Sequence, residues 1–145
     1  MTTALRERLH AIYAAFRMGK ADFVLNACHE DIEYISYTPT KVFPALGHRR
    51  GKSGMADLLQ TVHNQFEITS YEPAVMVVEA DNAAVMIFAR FIHRKSGRSV
   101  QVMICHFLRF RDDRIVELRA FMDSFGAAEQ LFGTTFAVPA SYPAS

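Results

Sequence analysis

Apolar positions recur at helical spacing near the N-terminus and then switch to alternation. Leu5, Leu9, Ile12 and Phe16 are spaced four, three and four apart, one stripe of a helix that ends near Gly19. A short second helix is predicted over about 21–28. The run "DIEYISY" reads as a strand, and the Pro- and Gly-containing segment "TPTKVFPALGHRRG" as a loop that leaves His48 solvated. A third helix starts near Ser53, with Met55, Leu58, Leu59, Val62 and Phe66 on its buried stripe. Four strand-like runs follow, at about 68–80, 83–95, 99–111 and 114–123, with "EADNA", "KSGR" and "RDDR" as turns. A last helix over 124–132 is stopped by Gly133. Helices followed by a meander predict an α+β domain, with the helices laid over one face of a curved, mainly antiparallel sheet. The β–α alternation and Gly-rich phosphate loop of a dinucleotide-binding fold are both missing from the pattern.

One residue breaks the alternation. In "VMICHFLRF" the positions Val102, Ile104, Leu108 and Phe110 share a face with His106. If Ser96 and Gly97 form a two-residue hairpin loop, His106 pairs with Ile87, Phe91 with Val102 and Ala89 with Ile104. That face is apolar except for His93 and His106. The opposite face carries Arg90, Arg94, Gln101 and Arg109, but also Met86, Phe88, Met103, Cys105 and Phe107. This is too apolar for a face left to water; a helical cover or a partner subunit could hide it, and a homodimer formed sheet to sheet is the preferred expectation. At "RDDR" two registers stay open. A two-residue turn pairs Arg111 with Arg114 and puts Arg119, Phe121 and Asp123 on the His106 face. A three-residue loop puts Leu118, Ala120 and Met122 there instead. A bulge late in the strand could still turn Asp123 inward.

Composition narrows the class. The 145 residues suit one domain, predicted over 1–133, with a loosely ordered Pro-, Ala- and Ser-containing tail over 134–145. Half the residues are hydrophobic and the net charge is +1, which leaves no footprint for nucleic acid. No apolar run is long enough to span a bilayer, and the first helix carries charges through its length. A cytoplasmic protein with no membrane partner is therefore expected. Cys28 and Cys105 lie far apart without metal-type spacing and read as free thiols.

The stretches "IYAAFRMGKADFVLNACHEDIEYI", "GHRRGKSGMADLL" and "HFLRFRDDRIVELRAFMDSFGAAEQL" resemble the nuclear transport factor 2-like superfamily, and within it the SnoaL-like proteins most of all. This is the cone-shaped fold of ketosteroid isomerase, scytalone dehydratase, limonene epoxide hydrolase and the SnoaL-like polyketide cyclases. The resemblance covers roughly Leu5 to Phe132. It implies a cavity inside the cone, an apolar small-molecule ligand and cofactor-free chemistry without a metal. The carry-over of residues is mixed. The general-base Asp of the ketosteroid isomerases falls near Ser36, their oxyanion-binding Tyr near Ile12, one position before Tyr13, and their oxyanion-binding Asp at His106. The Arg-x-Asp pair of the epoxide hydrolases meets Arg90 and Ile92. The acid/base Asp of the cyclases corresponds to Asp123, at the end of "AFMD", with a His on a neighbouring strand that His106 matches.

These residues make His106 and Asp123 the expected catalytic pair. An imidazole in an apolar cavity has its pKa pushed down, stays neutral and can give or take a proton near pH 7. Asp123 would abstract a proton next to a carbonyl while His106 polarises the enolate oxygen, giving isomerisation, cyclisation or dehydration. The competing role for Asp123 is the N-cap of the last helix. Tyr34 and Ser36 share a strand face and could polarise a substrate oxygen. Tyr13 and Phe16 would close the cavity from the first helix. Phe91, Ile104, Leu108 and Met122 would line it, and His93 would stand at its rim. A ligand-binding module without catalysis and an interaction domain are the alternatives.

Overall fold

The computed structural model describes residues 2–142; Met1 and the end of the expected tail, 143–145, lie outside the described residues. The elements are α1 (Thr2–Arg17), α2 (Ala21–Asn26), β1 (Cys28–Ser36), β2 (Arg49–Arg50), α3 (Gly51–Gln65), β3 (Phe66–Glu79), β4 (Asn82–His93), β5 (Ser99–Arg111), β6 (Arg114–Met122) and α4 (Ser124–Phe132). Residues 134–142 form neither helix nor strand. The six strands make one sheet in the order β2-β1-β6-β5-β4-β3. Only β1 and β6 are parallel. The helices α1 and α3 pack on the inner face, against β3 and β1, and close the cone that the curved sheet begins. Two expected boundaries move. β1 starts at Cys28, directly after a shortened α2, and the loop after β1 contains the short strand β2.

The hairpin between β4 and β5 is longer than expected. The ladder stops at Ile92 and Ser99, and residues 94–97 span the turn between His93 and Arg98. The Arg94 N–H is drawn away to Gln65 O at 2.9 Å, and Gly97 takes the left-handed conformation (φ 73°) that the wider turn needs. His106 therefore faces Val85 rather than Ile87. The shift is two residues, so every side chain keeps its face.

At "RDDR" the structure combines the two open registers. Asp112 and Asp113 form a two-residue turn with φ of 53° and 61°, and Arg111 pairs with Arg114. A bulge then inserts Val116: Phe110 pairs with Ile115, but Arg109 pairs with Glu117. The one-residue slip brings Leu118, Ala120 and Met122 to the face of His106, with Ala120 directly opposite. Ile115 and Val116 are both buried, which is the packing gain that holds the extra residue in place.

Beyond Met122 the strand β5 has no β6 neighbour. Gln130 of α4 fills the gap: its side-chain oxygen accepts the Gln101 N–H at 2.7 Å, and its amide donates to Gln101 O at 2.9 Å. This pins α4, whose Ala127 and Ala128 join the core. Gly133 ends α4 in the left-handed conformation expected of it. The edge strand β3 carries Pro73 beside a bulge, where a missing N–H is tolerated.

Candidate functional site

The inner face of the sheet and the helices enclose a cavity of about 150 Å³. Its wall is built by alternation. Val100, Val102, Ile104, His106 and Leu108 all project into it from β5, and Leu118, Ala120 and Met122 from β6. Val24, Met55, Leu58, Leu59 and Val62 close it from α2 and α3, and Ile12, Tyr13 and Phe16 from α1. Among the described residues no Asp or Glu lines it.

The polar groups are few and they converge. The Tyr13 hydroxyl and His106 Nδ1 are hydrogen-bonded at 2.8 Å, and the two rings stack at 5.7 Å. Both residues are buried, His106 with 8% of its surface exposed. Tyr13 reaches His106 because it continues the buried stripe of α1, four residues after Leu9. Burial lowers the His106 pKa to about 4 and raises that of Tyr13 well above 10. Both groups are therefore neutral near pH 7. Among the described residues Tyr13 is the only hydrogen-bond partner of the His106 ring, and no fully enclosed side-chain nitrogen or oxygen lacks a partner. The Nε2 atom accordingly faces the open space of the cavity.

Two further tyrosines line the same space. Burial raises the Tyr71 pKa strongly and pushes Tyr34 up to about 12, a rise that hydrogen bonding with Ser36 and the charge of Arg49 partly oppose. Burial also takes the Cys28 thiol up to about 11, and its S–H donates to Val24 O, so it is no nucleophile at neutral pH. Cys105 is free as well.

Residues 9–118, more than half of the chain, match the model of the SnoaL-like domain. The chain belongs to the SnoaL-like domain family. Solved structures agree on the fold of this SnoaL-like domain. A candidate isomerase from Rhodopseudomonas palustris shares 24% identity at a TM-score of 0.76, over 85% of this chain and 91% of that one. A LEH-like epoxide hydrolase from M. tuberculosis shares 18% at 0.70, over 88% and 91%. TerC, co-crystallised with polyporic acid, shares 19% at 0.73, over 87% and 96%. No curated protein matches the chain in sequence.

The structure distributes the expected site residues of this SnoaL-like domain unevenly. Tyr13, Phe16, Tyr34, Phe91, Ile104, His106, Leu108 and Met122 all line the cavity. Ser36 is buried behind the wall, where its hydroxyl accepts the Thr38 N–H at 3.2 Å. His93 does not line the cavity but stands half-buried at its edge, its ring 5.3 Å from that of Phe66 and its Nδ1 bonded to Ser96 Oγ at 2.7 Å. Asp123 is not brought to His106. It is exposed, its carboxylate accepts the Gly126 N–H at 3.1 Å, and it is the N-cap of α4. The bulge that could have turned it inward sits at Val116 and leaves it outside. His48 is exposed, as expected, and its Nε2 donates to Ser36 O at 2.8 Å. The partnership of Tyr13 with His106 escaped sequence reading. Its only trace is that Tyr13 falls on the α1 stripe and His106 on the β5 stripe.

Proposed function

We propose that the domain is a small-molecule enzyme. It would carry out cofactor-free acid–base chemistry on an apolar carbonyl-bearing substrate held in the cavity, through Tyr13 and His106. The observation that carries this is the 2.8 Å bond between two buried neutral groups, in a space whose other polar lining is limited to Tyr34, Thr38, Tyr71 and Cys28.

Burial disfavours both imidazolium and tyrosinate here, so the chemistry these groups suit creates no net charge. With the Tyr13 hydroxyl donating to Nδ1, the neutral imidazole carries its proton on Nε2 and offers it to a carbonyl oxygen. As Nε2–H passes to that oxygen, Nδ1 takes the Tyr13 proton. The Tyr13 oxygen in turn receives the proton that leaves the substrate. One proton leaves the substrate and one returns, the balance of an isomerisation or of an enol-forming step in cyclisation or dehydration. The absence of a lining carboxylate argues for this relay over abstraction by Asp123. Epoxide opening of the Arg-x-Asp type has no support, because Arg90 points to the outer face, bonded to Gln101 Oε1.

Incubation of the protein with a panel of cyclic ketones in D2O, read by mass spectrometry, tests the reading. Deuterium should enter the position next to the carbonyl. His106→Ala and Tyr13→Phe should each slow exchange by about 100-fold or more while circular dichroism stays native. Exchange at the wild-type rate in both variants would end the proposal. Binding without exchange would favour a ligand-binding module, the reading suggested by a cavity with no ionised group.

The outer sheet face supports a homodimer, because Phe88 and Phe107 are about half exposed there, with Phe121 beside them. A reducing compartment such as the cytoplasm accords with the two free thiols. Among the described residues no helix is long and apolar enough to cross a membrane.

A further inference from the structure

The cavity is long, and its two ends differ in chemistry. Its β5 lining runs from Leu108 to Val100, about 26 Å of strand. One wall is aromatic from end to end. The ring of His106 stands 5.7 Å from Tyr13, Tyr13 6.0 Å from Tyr71, and Tyr71 6.1 Å from Phe91. Phe91 is 5.9 Å from Phe66, and Phe66 5.3 Å from His93. Exposure rises along this row, from buried Tyr13 and Tyr71 to half-buried Phe91, Phe66 and His93, which places the mouth at the turn between β4 and β5.

Outside that mouth lies a depression that shares Phe43, Leu46 and Phe66 with the cavity. Among the described residues Arg94 and Lys95 line it, and no Asp or Glu does. Among the described residues neither cation is within salt-bridge distance of a carboxylate. Arg94 is held in place, its Nε donating to His63 O at 2.9 Å and its N–H to Gln65 O at 2.9 Å. The cavity thus offers aromatic faces to an apolar body, and its rim offers two uncompensated positive charges to whatever protrudes.

From this we infer that the ligand is an elongated, flat, unsaturated or aromatic molecule with an anionic group at the end away from His106. The apolar body lies along the Tyr13–Tyr71–Phe91–Phe66 wall, and the anionic group sits at Arg94 and Lys95. This rests on the reading of the cavity as a ligand site and adds the charge and shape of what enters it.

The test compares trans-cinnamate with cinnamyl alcohol, equal in carbon skeleton and different in charge, by calorimetric titration at pH 7.5. The carboxylate should bind up to about five-fold tighter, the scale expected of exposed ion pairs. The preference should vanish in Lys95→Glu, an exposed turn substitution, and shrink for the wild-type protein as salt is raised. Equal or weaker binding of the carboxylate, or a preference that survives both Lys95→Glu and salt, overturns the inference and leaves the cavity reading intact. Failure of both compounds to bind overturns the inference together with the cavity reading.

Discussion

At His106 the cost of burying a titratable group becomes a measurable property. Its pKa of about 4 lies below the ordinary 6.5, so between these values the unfolded chain binds the proton that the folded chain refuses. Stability from this site is complete above pH 6.5 and is lost as pH falls toward 4. The loss should reach about 3 kcal/mol. Urea unfolding followed between pH 7 and pH 4.5 should show the midpoint dropping with acid. His106→Gln should flatten that slope, without abolishing it, since burial lowers the His63 pKa too. A wild-type slope retained in His106→Gln would place the titration elsewhere. Tyr13 stands on the same logic: its hydroxyl is satisfied by His106, and removing either partner leaves the other polar atom in hydrocarbon.

Among the elements, small irregularities position the site. Without the extra Val116, Leu118 and Ala120 would turn to solvent, and the cavity would lose the wall opposite His106. The two Asp residues of the turn adopt positive φ, which their short polar side chains tolerate. α4 is held where β6 runs out, by paired hydrogen bonds from Gln130 to the Gln101 backbone. Gln130→Ala should cost about 1 kcal/mol in chemical denaturation, because water can replace part of what is lost at this exposed site. It should also speed hydrogen exchange at the Gln101 amide. An unchanged exchange rate at Gln101 would show that the side chain does not hold that edge.

For the whole molecule, the unresolved demand is the outer sheet face. Phe107 and Phe121 meet edge to face at 5.9 Å, and Tyr37 stacks on Phe121 at 4.3 Å, all on the surface. Around them Glu117 bridges Arg109 and Arg119, a charged margin to an apolar centre. A second copy of the same face would bury these rings, and light scattering at micromolar concentration should give twice the chain mass. Phe107→Glu should return the chain to a monomer with native circular dichroism. A monomeric wild type would leave the patch to a different role.

How much could be read without coordinates follows from what sets each feature. The order of elements, the α+β architecture, the stop at Gly133 and the burial of His106 on the inner face rest on local periodicity and turn chemistry, and these are properties of neighbouring residues. Face assignment even survived a wrong pairing partner, because a two-residue slip preserves side-chain direction. The reach of Gln65 to Arg94, the bulge at Val116, the outward placement of Asp123 and the bond from Tyr13 to His106 are different in kind. Each joins segments remote in sequence, and each depends on how packed elements share space. The sequence by itself determined that a histidine would lie inside an apolar fold. Only the tertiary structure decided its partner, because hydrogen bonding at the cavity wall depends on where α1 crosses the sheet, and no local pattern records that crossing.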